Sequence, residues 1–277
     1  MKSFKLKDGK EVIFNRTEIM GIINITDNSF YSGSRVAHVD DALKRAEKMV
    51  EEGVFILDIG GESTHPGSDR VPVEEEIKKV APVVEAIKKE FPDILVSVDT
   101  FNLGTAKAAY ESGMDILNDI TSLKSEGMAD FIAEKKLPVI LMHMKGEPKT
   151  MQDAPHYDDV VKEVLDYFQE RIDYARSKGI ERDRLILDPG IGFGKDYGHN
   201  IDLIKNIESL KRFDLPILLA VSRKGFIGKA LGGIPAQERL EGTIATSVFA
   251  AERDIEMVRV HDVIENLRAI RMVEALK

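Results

Sequence analysis

Polar residues with chemical uses recur at one kind of position in this chain, directly after a short apolar run. Asn24, Asp58 with Glu62, Asp99, Asn118 with Asp119, His143, Asp188, Ser222-Arg223-Lys224, and Arg259 followed by His261 all stand there. Any one of them reads equally well as a turn or cap residue. That all eight runs end in acids, amides or cations points instead to one shared site. The residue types also sort along the chain. Asp99, Asn118 and Asp188 offer carboxylate acceptors and an amide, a set suited to a heterocycle rich in ring N–H and amino donors. Lys224, Arg259 and His261 offer a point charge, a guanidinium fork and an imidazole, which suit a cluster of anionic oxygens.

Several pattern matches fail on inspection. The run Gly190-Ile191-Gly192-Phe193-Gly194-Lys195 lacks the spacing of a Walker loop and the third glycine of a dinucleotide fingerprint. It reads as a tight loop that lets backbone approach a ligand, with Phe193 as its apolar contact. Asn24-Ile25-Thr26 has the form of a glycosylation sequon, with nothing else to suggest secretion. There is no HExxH and no pair of histidines at ligand spacing, which argues against zinc. A hard cation held by one amide or carboxylate together with substrate phosphates stays open.

The elements that must position these residues are legible as eight apolar runs, at 19–23, 55–59, 94–98, 115–117, 139–142, 185–187, 217–221 and 257–260. Longer amphipathic stretches lie between them. Val73, Ile77, Val80, Val84, Ile87 and Phe91 recur at helical spacing, as do Val161, Val164, Leu165, Phe168, Ile172 and Ala175, with Gly179 as a stop. Pro82 is expected to kink or break the first of these helices. Eight strand–helix repeats in about 250 residues predict an α/β fold, a (β/α)8 TIM barrel, with a doubly wound sheet as the runner-up. Residues 4–6 and 12–14, around Asp8-Gly9, predict a short N-terminal β-hairpin covering one end of the barrel. Barrels collect their chemistry at the C-terminal ends of the strands, where every polar group named above stands.

Composition narrows the function classes. The chain has 277 residues, a formal net charge of −9, 31% charged residues and no cysteine. Disulfides, thiolate metal sites and a cysteine nucleophile are excluded together. An acidic balance speaks against binding nucleic acid or an anionic membrane surface. No stretch approaches the roughly 20 apolar residues of a membrane span. The N-terminal segment has no apolar run of signal-peptide length, so a cytoplasmic location is expected. With no linker or low-complexity tract, residues 1–277 read as a single domain.

These residues together resemble the dihydropteroate synthase family. Met20-Gly21-Ile22-Ile23-Asn24-Ile25-Thr26 followed by Ser29-Phe30 is similar to its first signature. Asp58-Ile59-Gly60-Gly61-Glu62-Ser63-Thr64 followed by Pro66-Gly67 is similar to its second. Ser97-Val98-Asp99-Thr100, Leu117-Asn118-Asp119-Ile120, the segment from Leu187-Asp188 to Phe193, Ser222-Arg223-Lys224 and Arg259-Val260-His261 follow in the family's order. The resemblance implies that 7,8-dihydropterin-6-ylmethyl diphosphate and 4-aminobenzoate are joined to give dihydropteroate and diphosphate. It implies pterin contacts at Asp99, Asn118, Asp188 and Lys224, with Asp99, Lys224 and Asp188 as candidate catalytic groups. It implies a diphosphate site at Arg259 and His261, Mg2+ near Asn24, and further substrate contacts at Thr64, Phe193, Phe30, His65 and Pro66. A homodimer through the late helices is also implied, although Ile244, Val248 and Val258 there read equally well as core.

The chain departs from the family's usual pattern in three places. Ser32 stands where an acid is usual, His65 where an arginine is usual, and Gly225 where a serine is common. The resemblance places all three around the diphosphate and aminobenzoate, which predicts weakened sulfonamide inhibition. Two competing expectations follow: another pterin-barrel enzyme of the methyltetrahydrofolate methyltransferase kind, or a catalytically idle pterin-binding protein.

Overall fold

A computed structural model describes residues 2–25, 35–62, 71–147 and 149–277. The N-terminal hairpin pairs β1 (Lys2–Lys5) with β2 (Glu11–Phe14), antiparallel, with Phe4 opposite Val12. Eight parallel strands follow: β3 (Glu18–Asn24), β4 (Ile56–Gly60), β5 (Leu95–Asp99), β6 (Ile116–Asp119), β7 (Val139–Met142), β8 (Leu185–Asp188), β9 (Leu218–Ala220) and β10 (Met257–Val260). Each of β3 to β7 pairs with the next, β10 lies between β3 and β9, and a parallel bridge from Leu187 to Ile217, just before β9, joins β8 to β9. The ring therefore closes, and the doubly wound alternative is excluded.

Helices separate the strands: α1 (Arg35–Glu51), α2 (Val73–Glu90), α3 (Leu103–Glu111), α4 (Met128–Lys135), α5 (Val160–Ser177), α6 (Tyr197–Lys205), α7 (Gly225–Ala230), α8 (Leu240–Glu252) and α9 (Val263–Leu276). Strand residues facing this outer layer, such as Leu57, Ile59, Val96 and Val98, are fully buried with the apolar stripes of the helices. One expectation needs correction, the break at Pro82. Helix α2 runs unbroken through Pro82. The interior proline costs about 3 kcal/mol, but Val80, Val83, Val84 and Ile87 are all fully buried, and four such side chains outweigh it at ~1.5–3 kcal/mol each. Val258 belongs to the main core, whereas Ile244 and Val248 are half-buried on α8.

A second core lies inside the ring. Met20, Ile56, Ile116, Ile140, Ile186, Leu218 and Met257 point inward near the strand starts and meet Phe4, Leu6, Val12 and Phe14 of the hairpin. Polar stitches fix the hairpin there. Lys2 Nζ donates to Leu215 O (3.0 Å), Lys7 Nζ to Met114 O (2.9 Å), and Arg184 Nη1 to Leu6 O and Lys136 O (both 2.7 Å). The hairpin thus plugs the N-terminal end of the barrel, which leaves the C-terminal end for chemistry.

Candidate active site

Side chains alternate along a strand, so the inward positions two residues past the apolar layer carry the next set of groups. On β4 that is Asp58, on β6 Asn118, on β8 Asp188 and on β10 Arg259. Arg259 is the hub. Its Nε donates to Asp58 Oδ2 at 2.6 Å and its Nη2 to Asp99 Oδ2 at 3.1 Å, with side-chain exposures of 15% for Arg259, 0% for Asp58 and 10% for Asp99. Asn118 Nδ2 also donates to Asp58 Oδ2, at 3.2 Å. The outer oxygens, Asp58 Oδ1 and Asp99 Oδ1, are buried without a hydrogen-bond partner.

Lys224 stands as the N-cap of α7, just after β9. Its Nζ donates to Ile191 O at 2.5 Å and lies 4.9 Å from the centre of the Phe193 ring. Asp188 Oδ1 accepts from Gly190 N at 2.7 Å, which ties the strand end to the glycine-rich loop. That loop packs backbone against backbone. A Cβ on Gly190 (φ +66°) would sit 1.8 Å from His143 O, and one on Gly194 (φ +63°) 2.0 Å from Lys145 O. Only glycine fits at either place.

Charges of both signs are buried together at the site. Three carboxylates, Asp58, Asp99 and Asp188, face the cations Arg259 and Lys224, with Lys195 behind the glycine-rich loop also acting on Asp188. Burial pushes the Asp99 carboxyl up to about 7; Arg259 opposes the shift and Asp58 adds to it. Burial also raises Asp188, against the pull of Lys224. Burial lowers Lys224 to about 8, against Asp188. Burial alone would lower Arg259 too, but Asp58 and then Asp99 hold it above its ordinary value. Asp99 is therefore the group whose charge responds most readily to whatever enters.

The other expected residues divide clearly. Asn24 ends β3 beside the site, since its Oδ1 and the Cβ of Asp99 lie 3.4 and 3.8 Å from where a Gly60 Cβ would stand. His261 is held by Ser222, whose Oγ is 2.9 Å from His261 Nδ1 and accepts from His261 N at 3.2 Å. Within the expected cation trio, Arg259 and Lys224 lie close enough to act on one another and on Asp188, while Arg259 bonds the acids, Lys224 the loop and His261 Ser222. Arg223 (φ +55°) turns to a two-pronged pair with Asp262, at 2.8 and 2.9 Å. Asp119 builds its own turn, accepting from Thr121 N, Thr121 Oγ1 and Leu123 N. His143 is buried edge-on to Tyr167 at 4.8 Å, and burial pushes it well below the ordinary histidine value. Phe30, Thr64, His65 and Pro66 lie outside the described residues, as does Ser32.

Asp58 was seen in the sequence as a polar strand end but not as a site residue. An acid on the inward parity of a strand that is otherwise apolar is a signal that could have placed it. For a metal, no group of three or more acids or histidines converges among the described residues. Asn24 offers a single amide oxygen, a donor set that fits Mg2+ only where substrate phosphates and water complete the shell.

Comparison with known proteins agrees with this geometry. Residues 20–261 match the pterin binding enzyme family. Dihydropteroate synthase of Escherichia coli K12 is 45% identical over 267 residues, 96% of this chain and 94% of the relative. The Yersinia pestis dihydropteroate synthase, solved with a sulfonamide drug complex, superposes with a TM-score of 0.91 at 40% identity, covering 99% of this chain and 98% of the other. The Xanthomonas albilineans enzyme, solved with 4-aminobenzoic acid, gives 0.91 at 39% identity with the same coverage. The chain belongs to the pterin-binding enzymes, as a transferase of the dihydropteroate synthase family.

Proposed function

We propose that this chain, acting as one domain, joins 7,8-dihydropterin-6-ylmethyl diphosphate to 4-aminobenzoate, releasing diphosphate and 7,8-dihydropteroate. One observation carries the assignment of roles: Asp99, the buried carboxyl raised to about 7, shares Arg259 with Asp58 at the open end of the barrel. Departure of diphosphate leaves positive charge spread over the pterin ring and its methylene. An ionised Asp99 in a dry pocket stabilises that charge as it develops. Asn118 and Asp188 supply the amide and carboxylate partners for the ring's polar edge, and Phe193 an apolar wall. Lys224 lies over this wall and is attracted electrostatically by Asp188. Attack by the aniline nitrogen then needs no covalent protein intermediate.

Arg259 and His261 are assigned to the diphosphate, with Phe30, Thr64, His65 and Pro66 contributing further substrate contacts. For Arg259 this assignment requires the guanidinium to share its donors between the acids and the incoming oxygens. Mg2+ held by Asn24 and the diphosphate would neutralise charge on the leaving group. The reaction belongs to folate biosynthesis, and a cytoplasmic location suits small soluble substrates. Among the described residues no helix is long and apolar enough to cross a membrane. A homodimer through the late helices is supported by Leu231, Met272 and Leu276, which are 48%, 57% and 74% exposed. Light scattering of the purified protein tests that state.

The test of function is direct. The protein is incubated with the pterin diphosphate, 4-aminobenzoate and Mg2+, with and without a chelator, and both products are measured. Diphosphate and dihydropteroate in equal amounts, lost on chelation, support the reading. Diphosphate alone would indicate a different nucleophile; neither product, with pterin still bound, would leave an idle binding protein. The altered loops supply a further check. Ser32→Asp with His65→Arg should tighten sulfonamide inhibition and raise turnover more than the two single changes combined.

A further inference from the structure

The glycine-rich loop after β8 has a second property beyond its close packing. Five consecutive carbonyls, from residue 190 to residue 194, each accept a hydrogen bond from a side chain. Lys195 Nζ donates to Gly190 O and Phe193 O (both 2.9 Å), Lys224 Nζ to Ile191 O (2.5 Å), Gln152 Nε2 to Gly192 O (2.6 Å) and Tyr157 Oη to Gly194 O (2.9 Å). The third Lys195 hydrogen goes to His143 O at 3.2 Å, across on the loop after β7. An irregular segment must place each backbone polar group on some partner, and here side chains from three loops do it.

Lys195 is the centre of this arrangement. It is only 2% exposed, and its three acceptors are neutral carbonyls. A buried ammonium is a costly way to fill space, since a methionine of similar length would fill it without charge. Burial pushes Lys195 well below the ordinary lysine value, against the pull of Asp188. Yet three carbonyl acceptors around one nitrogen can all be served only by the protonated form. What the ammonium supplies is three divergent donors on one atom, as a small structural cation would. Two of them fix the ends of the segment 190–193, whose middle carries the Ile191 carbonyl that holds Lys224 and whose last residue is Phe193.

We propose that Lys195 is a positioning residue for pterin recognition, locking the 190–194 loop so that Phe193 and the Lys224 anchor are in place before substrate arrives. The proposal rests on the reading of this site as the pterin site. It is tested by measuring the dissociation constant for the pterin diphosphate without 4-aminobenzoate, together with kcat at saturating substrates. Lys195→Met should weaken pterin binding at least tenfold while kcat at saturation changes less than threefold. Lys195→Gln, with two amide hydrogens, should lie between it and the wild type. Tyr157→Phe removes only the bond to Gly194 O and should weaken binding two- to fourfold. A folded Lys195→Met with pterin affinity within twofold of wild type overturns the proposal. If that variant does not fold, unchanged affinity in Tyr157→Phe overturns it instead. Failure of the wild-type protein to bind the pterin diphosphate would break the functional reading, a result distinct from either.

Discussion

The two ends of this barrel are built from the same strands and the same inward parity, yet they do opposite jobs. At the lower end β4, β6, β8 and β10 present Ile56, Ile116, Ile186 and Met257, sealed by the hairpin's Phe4 and Phe14. Two residues further along, roughly 6.6 Å, they present Asp58, Asn118, Asp188 and Arg259. The lower layer gains stability from burial with no polar debt. The upper layer buries charges whose mutual attraction has to offset their lost hydration. Stability and chemistry are thus separated along the strand axis rather than divided between domains.

The sharpest way to break this comparison is Arg259→Ala. It leaves Asp58 and Asp99 buried without their shared cation, and removing one partner of a buried pair costs about 3–5 kcal/mol. Denaturant unfolding should show that loss, alongside a fall in kcat/KM for the pterin diphosphate. A change below about 1 kcal/mol would mean the upper charges are not coupled as their distances indicate. Phe4→Ala probes the other end. It should cost about 3–5 kcal/mol in stability, yet leave kcat and both Michaelis constants within about twofold at temperatures where it stays folded. Altered kinetics there would show that the ends are not independent.

Asp99→Asn should act mainly on turnover, lowering kcat on the order of 100-fold with a much smaller change in pterin affinity. The same substitution has a stability signature. An unfolded chain releases the Asp99 proton near 3.8, the folded protein only near 7. Between those values the native state binds the extra proton, so stability falls as pH rises through the window and the penalty is complete above 7. Thermal unfolding of the ligand-free protein should therefore show a decline across that range that Asp99→Asn flattens. In wild-type kinetics, kcat/KM for the pterin diphosphate should rise to a narrow maximum. It requires Asp99 ionised, above about 7, and Lys224 protonated, below about 8. The smallest effect is expected from Gly225→Ser. Nothing lies within 4 Å of a Cβ built there, so the change should stabilise by less than about 1 kcal/mol and modestly lower the Michaelis constant for 4-aminobenzoate.

Much of the barrel's scaffold was legible in the sequence, because strands buried on both faces read as continuous apolar runs and the helices leave stripes at helical spacing. All eight barrel strands lie within two residues of the apolar runs, and Gly179 (φ +87°) does follow α5. The limits were those of pairwise facts. Arg259 reads as a phosphate ligand from its type, but its bonds to Asp58 and Asp99 span 201 and 160 residues and have no local trace. Lys195 looked like part of a failed phosphate motif, since nothing in the string reveals that its acceptors are backbone carbonyls. Pro82 signals a break by local sequence alone, but the buried face of α2 decides its course. His143 looked available for chemistry, yet the tyrosines that enclose it come from beyond its own strand.

The pairing of β10 with β3 has a consequence for synthesis. As the chain leaves the ribosome, Asp58 and Asp99 emerge long before Arg259, and β3 waits for the partner that will join it to β9. Any earlier closure would seal two carboxylates in a dry interior without the guanidinium that bonds both, and pairings distant in sequence are slow to form. The strand that completes the ring therefore also delivers the guanidinium that Asp58 and Asp99 share. A nascent chain gains its closed fold and its capacity to bind substrate together, on arrival of the last strand, and an unfinished chain gains neither.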